Sequence, residues 1–202
     1  MIIAGIHGNE QVPVKYLKSR GIPFILGNPR AIKLNKRFID NDLNSSFNTV
    51  GFGYEYKRAA KLLTKIDSPV LDLHTFSCKS KPFAVITSLD YLDMAKTMGV
   101  RHVVYMNMNI KGGHSLIDQV GGVSVEVGHH KAEESVEQLE KTIECFMKGI
   151  VTKVKVYEVY QKIYQKIYQK RKYVNFRKYG DFYPVLAGEK AYKFLGLKAR
   201  LM

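Results

Sequence analysis

Residues 2–19 read IIAGIHGNEQVPVKYLKS. Ile2–Gly5 is a short apolar run that predicts a buried strand, and Glu10–Ser19 predicts a helix directly after it. Between the two stands His7-Gly8-Asn9-Glu10. A His and a Glu three apart, where a strand hands over to a helix, can converge on one ion. The same alternation continues outward through the first 150 residues. Pro23–Leu26 is an apolar run broken by Gly27-Asn28-Pro29. Residues 30–50, rich in Asn and Asp and without a clean period, read as a long loop. Tyr56, Ala59, Ala60, Leu63 and Ile66 recur at helical spacing. Val70–Leu73, Phe83–Ile86, His102–Met106 and Val123–Val127 read as strands, and Tyr91–Met98 as a helix. Val136, Leu139, Ile143, Phe146 and Met147 mark an amphipathic helix, with Glu133 and Glu134 in its first turn and Lys148 at its end. This order predicts an α/β fold, with a mixed, largely parallel central sheet flanked by helices. In such sheets chemistry gathers at the carboxyl ends of strands, which brings the segments after Gly5, Leu73 and Val125 together.

His74 follows the strand Val70–Leu73. With His7 and Glu10 it completes two imidazoles and one carboxylate, the protein shell of a catalytic zinc that leaves a position for water. Asp72 or a backbone carbonyl would orient a ligand imidazole from behind. Taken singly these signals are weak. A His three residues before a Glu is common, and Glu126 between Val125 and Val127 equally fits a solvent-facing site on an alternating strand.

Together the residues carry a resemblance. Gly5-Ile6-His7-Gly8-Asn9-Glu10 resembles the zinc motif of the succinylglutamate desuccinylase/aspartoacylase family, relatives of the zinc carboxypeptidases. Asn28-Pro29-Arg30-Ala31 is similar to that family's second signature, and Arg37-Phe38-Ile39-Asp40 with Asp42-Leu43-Asn44 to its third. Asp72-Leu73-His74-Thr75 resembles the third-ligand segment, and Val125-Glu126-Val127-Gly128 the strand of the catalytic glutamate. Tyr183-Pro184-Val185 and Glu189-Lys190-Ala191-Tyr192 resemble the end of the small C-terminal domain. The motifs occur in family order over residues 5–192.

The resemblance implies a zinc carboxypeptidase-like fold and one Zn2+ per chain on His7, Glu10 and His74. It implies Glu126 as general base and acid, and Arg37 as the cation that polarises the scissile carbonyl. Asn44 and Tyr192 would contact substrate. The expected reaction is hydrolysis of the amide bond of an N-acyl amino acid or related small substrate. A metallocarboxypeptidase-like reaction on a short peptide is the runner-up. One departure stands out. Ser45 occupies the substrate-binding position where the family pattern has an arginine, and serine cannot make the charged bidentate contact to a carboxylate. Lys79, Lys81 and Lys111 remain as point cations, and His114, His129 and His130 as candidate proton shuttles or spare ligands.

The chain has 202 residues, 46% hydrophobic and 25% charged, a composition that suits a globular catalytic domain at residues 1–150 with a small, partly β domain at 151–202. The net charge of +14 is uneven: residues 151–202 hold 13 Lys/Arg against 3 Asp/Glu. There Tyr160-Gln161-Lys162-Ile163 repeats through Tyr164 and Tyr168 to Lys170. The spacing of four fits one helix face and the Tyr/Ile content fits a strand, so the sequence leaves both open. A different class of function follows from this tail. Tyr160, Tyr164, Tyr168, Tyr173 and Phe176 interleave with Lys162, Lys166, Lys170, Arg171, Lys172 and Arg177, a pattern that could hold nucleic acid through residues 160–177. A basic solvated face over an aromatic core is the simpler reading. Cys78 and Cys145 are isolated and far apart, which fits a reducing cytoplasm. Cys78 is close enough to His74 to line the site, although a buried filler role is simpler. No apolar run reaches membrane-spanning length, and the N-terminus carries no signal-peptide pattern.

Overall fold

In the computed structural model, which describes residues 1–67, 69–108, 112–130, 133–164 and 172–202, nine strands form one sheet. They are β1 (Ile2–Ala4), β2 (Ile25–Leu26), β3 (Val70–Phe76), β4 (Phe83–Ile86), β5 (His102–Tyr105), β6 (Gly122–His129), β7 (Lys155–Ile163), β8 (Tyr183–Val185) and β9 (Gly196–Leu201). The order is β2-β1-β3-β6-β4-β5-β7-β9-β8. The sheet is mixed and mostly parallel. β2, β1, β3 and β6 run parallel as neighbours, β4 turns against β6, and β5 and β7 run parallel to β4. β9 pairs antiparallel with both β7 and β8.

Alternation along the strands decides which face holds what. Ile2 and Ala4 of β1, Leu71 and Leu73 of β3, and Val123, Val125 and Val127 of β6 share one apolar cluster. That cluster includes Val14 and Leu17 of α1 (Gln11–Ser19), and Leu139 and Ile143 of α6 (Glu134–Lys148). Full burial of each Val, Leu or Ile among them is worth roughly 1.5–3 kcal/mol. The intervening residues Asp72, His74, Ser124 and Glu126 must therefore point to the opposite face. Ile3 and Val70 on that face pack with Ala59 and Leu62 of α3 (Tyr54–Leu63) and Leu116 and Ile117 of α5 (Leu116–Val120).

The segment 30–50 is more ordered than its composition suggests. α2 spans Pro29–Leu34, and a 3-10 turn spans Leu43–Ser45. The physical reason lies in the apparent breaker. The Asn28 side chain accepts from the Ala31 N–H at 3.1 Å, and Pro29 takes the first helical position, where its missing N–H costs nothing. α2 then ends at Asn35 in the left-handed region, at φ 51°.

This helix fixes the turn that carries the first motif. A side chain at Gly8 would collide with the backbone of Ala31 and Lys36, and the Gly8 N–H donates to the Arg37 carbonyl at 3.0 Å. Only glycine permits that approach. Gly5, at φ +74°, turns the chain out of β1 toward it.

The C-terminal segment continues the same sheet. Residues 155–163 form β7 beside β5, so Tyr160–Ile163 are strand. Residues 165–171, with Tyr168, Lys166, Lys170 and Arg171, lie outside the described residues. Phe176 stacks on His102 at 4.3 Å between ring centroids and meets Phe83 and Tyr157, a partly buried position for one of the tail's aromatics. α4 (Leu92–Lys96) is shorter than the helix expected over Tyr91–Met98: a 3-10 turn, Leu89–Tyr91, takes Tyr91, and the helix ends at Lys96, with Thr97 as its cap.

Candidate metal centre and active-site cavity

β1, β3 and β6 are neighbours, so the ends of these strands converge as the topology requires. His7 and Glu10 leave the end of β1, and His74 comes from β3. The strand does not stop before His74 but runs on to Phe76, with a register irregularity between His74 and Phe76. Such bulges re-aim side chains. Glu10 sits between the imidazoles: its Oε1 is 2.6 Å from His7 Nδ1 and its Oε2 is 3.0 Å from His74 Nδ1. The Thr75 N–H also donates to Oε2 at 3.0 Å. One donor atom from each of the three residues lies within 4.8 Å of the others, and all three residues are buried.

Each imidazole is held from behind through its other nitrogen. His74 Nε2 lies 2.7 Å from Asp72 Oδ2, and His7 Nε2 lies 3.0 Å from Asp42 Oδ1. Ser124 in turn donates to Asp72 Oδ2 at 3.2 Å. These carboxylates leave both Nδ1 atoms for the cluster centre, the arrangement typical of metal-ligating histidines. Buried carboxylate and imidazole in this geometry fit a divalent transition metal. Burial opposes ionisation of Glu10, but His7 and His74 outweigh it and hold the carboxyl well below the ordinary range. Burial likewise disfavours a charged His74, yet Asp72 and Glu10 raise its pKa.

Glu126 pairs in register with His74 across β3 and β6. It faces the cavity rather than solvent, and its Oε2 is buried without a hydrogen-bond partner among the described residues. Burial, with Glu10 and Glu189 nearby and only partly offset by His74 and Arg37, pushes its carboxyl up to about 8. Arg37 donates to Asp42 Oδ2 at 3.1 Å and lies 4.0 Å from Glu10 Oε1. Burial would lower its pKa, but Asp42 and Glu10 raise it, so it stays a cation. Tyr192 stacks on Phe194 at 4.7 Å, and burial beside Glu126 raises its phenol, which stays protonated. Asn44 Oδ1 accepts from the Leu116 N–H at 3.0 Å, which leaves its amide NH2 as the remaining polar group.

His7, Glu10, His74, Arg37, Asn44, Glu126 and Tyr192 all line one cavity of about 790 Å³, counting its open mouth. Ser45 is not in the lining. It forms the 3-10 turn, its N–H bonded to Asp42 O at 2.9 Å. His130 lies beside the cluster, its Nδ1 2.6 Å from Thr75 Oγ1, whereas His114 Nδ1 donates to the Phe47 carbonyl at 3.0 Å. Lys79 lies along a separate groove with Cys78, whose thiol burial pushes up to about 12. Lys111 lies outside the described residues.

Asp42 and Glu189 were not singled out from the sequence. Asp42 stood inside a quoted motif, but nothing local shows that it reaches His7. Glu189 lines the cavity while accepting from Ser77 N–H at 2.9 Å and Ser77 Oγ at 2.6 Å.

Residues 1–150 match the family model described as the succinylglutamate desuccinylase/aspartoacylase catalytic domain. The chain belongs to this family. Among its relatives, the succinylglutamate desuccinylase of Pseudomonas paraeruginosa is 37% identical over 78 residues, a match that covers 31% of this chain and 24% of that protein. The chain thus aligns with about a quarter of that relative's length. The crystal structure of the succinylglutamate desuccinylase from Chromobacterium violaceum superposes with a TM-score of 0.73 at 15% identity, covering 100% of this chain and 83% of that one. Murine aminoacylase 3 superposes with a TM-score of 0.66 at 19% identity, covering 100% and 94%. These structures share the fold. In this family member no helix among the described residues is long and apolar enough to cross a membrane.

Proposed function

We propose that this protein is a zinc-dependent deacylase that hydrolyses the amide bond of an N-acyl amino acid or related small amide. The observation that carries the reading is the pairing of Glu126 with His74 beside a buried His7–Glu10–His74 donor set. Membership in a family of desuccinylases and aspartoacylases supports it, as does the naming of relatives for succinylglutamate. His7, Glu10 and His74 would hold one zinc, which when bound lowers the pKa of a water to about 7 and polarises a carbonyl.

The chain's own groups supply the rest. Glu126 takes a proton from the attacking water and returns it to the departing amine nitrogen, so the C–N bond breaks as the proton is delivered. A carboxyl raised by burial is suited to carrying a proton near neutral pH. Arg37, permanently charged, faces the oxygen on which negative charge develops. Asn44 and the protonated Tyr192 offer neutral donors to fix the substrate. A carboxypeptidase-like reaction needs a grip on a free C-terminal carboxylate, and Ser45 lies off the cavity and carries no charge. Two free cysteines accord with a cytoplasmic setting.

The test is hydrolysis of a panel of N-acyl amino acids and short peptides by the zinc-loaded protein. Release of free amino acid from N-acyl substrates supports the reading. Intact zinc with cleavage of peptides alone would replace it with the peptidase.

A further inference from the structure

Away from the histidines the cavity changes character. Its floor continues from Glu126 to Ser124 on β6, and Val85 of β4 stands beside Ser124 in register. Val85 packs with Met106, Met108 and Leu186 in one apolar cluster and with Ile117 in another, and all five line the cavity, so residues from β4, α5 and the segments after β5 and β8 build one apolar end. The charges that border the cavity beyond the ligand cluster are acidic. Asp118 accepts from Ser115 N–H at 3.1 Å and Ser115 Oγ at 2.5 Å, and Glu189 is held by Ser77. Arg37 is the cation among the described lining residues other than histidine, and it is already paired with Asp42.

A substrate carboxylate lodged at this end would lose water and meet no free cation from the described lining, in a cavity that also carries the carboxylates of Asp118 and Glu189. That is unfavourable on each count. An uncharged chain gains instead, by roughly fourfold in affinity for each methylene buried. We infer that this end of the cavity selects an apolar, uncharged side chain or acyl chain, of aliphatic or thioether type, over a carboxylate. The inference rests on the deacylase reading for its chemistry but makes a separate claim about recognition.

The experiment has two arms. In one, zinc-loaded wild-type protein hydrolyses N-acetyl-L-methionine, N-acetyl-L-aspartate and N-succinyl-L-glutamate. In the other, calorimetry measures binding of the same three compounds to zinc-loaded Glu126→Gln. The expected result is kcat/KM at least 100-fold higher for N-acetyl-L-methionine than for either acidic compound, with Kd ordered the same way. Acidic compounds hydrolysed as well or better would overturn this inference and leave the deacylase reading standing. Selective binding of N-acetyl-L-methionine without hydrolysis would support the inference and overturn the deacylase reading. No binding of any of the three would overturn both. Met108→Arg places a cation at the apolar end and should shift the ratio at least tenfold toward the acidic compounds. An unchanged ratio in a folded variant would show that the side chain does not lodge there.

Discussion

His74 and Glu126 stand side by side across the parallel ladder of β3 and β6. A rigid sheet therefore sets the spacing between an imidazole of the candidate metal site and the carboxylate proposed to handle protons. Sites on strands are held more tightly than sites on loops. Glu126→Gln keeps shape and removes the group that would take up and return the proton. It should retain one zinc per chain and lower kcat by about 10²–10⁴-fold with little change in substrate Kd. Metal analysis with steady-state kinetics checks this, and a variant that turns over like the wild type would remove Glu126 from the chemistry.

The carboxylates behind the histidines make a second prediction. Asp72 Oδ2 lies 2.7 Å from His74 Nε2, and Asp42 Oδ1 lies 3.0 Å from His7 Nε2, a nitrogen that Arg37 Nη2 also approaches at 2.9 Å. Replacing either by Asn keeps a hydrogen-bond acceptor but loses the charge that raises the basicity of the ligand. Each change should weaken zinc affinity by about 10–100-fold, measured by competition against a chelator of known affinity. Asp72→Asn should act without altering Arg37. Asp42→Asn should also loosen Arg37, which donates to the same carboxylate.

Much of this centre was legible in the sequence, for a physical reason. His7, Glu10, His74 and Glu126 lie at or near the carboxyl ends of strands that buried apolar runs announce, and alternate parity puts His74 and Glu126 on the face away from Leu73 and Val125. The longer reach of β3 was not legible, because Thr75 and Phe76 carry no signal that a strand persists past a histidine. α2 was missed where Asn28-Pro29 read as a breaker, although Asn before Pro at a helix start is itself a capping signal. The apolar end of the cavity was hidden entirely. Val85, Met106, Ile117 and Leu186 are distant in sequence and meet only through the order of the sheet.

Arg37 supports a third prediction. Its guanidinium is tied to Asp42 on one side and reaches the cavity on the other. Arg37→Ala should lower kcat by about 10²–10³-fold, the cost typical of losing one donor to a developing oxyanion. Zinc content should stay near one per chain, since Arg37 is not among the proposed ligands His7, Glu10 and His74. A loss confined to KM would assign Arg37 to substrate binding alone.

Glu55 supports the last prediction, one about pH. It is fully buried at the start of α3, and its carboxylate accepts from the Ile39, Asp40 and Asn41 N–H groups at 2.7, 3.0 and 3.2 Å and from Asn28 Nδ2 at 3.0 Å. It thereby ties the cap of α2 to the segment between Arg37 and Asp42. Burial alone would raise this carboxyl, but the Ile39 N–H, the Asn28 amide and the Asp40 and Asn41 N–H groups outweigh it and hold the pKa below its ordinary value. A depressed folded pKa contributes stability that is fully present above the unfolded value of about 4.3 and lost as pH falls through the folded value. Glu55→Gln offers one acceptor oxygen where two were used and no charge. It should cost about 2 kcal/mol at pH 7, a fall in Tm of roughly 4–8 °C for a chain of this size. The gap to wild type should narrow below about pH 4, as the wild-type carboxylate itself takes up a proton. Thermal melts of both metal-free proteins from pH 7 to pH 3 measure the gap directly. A gap that stays constant over that range would mean that packing around Glu55, and not its charge, secures the loop.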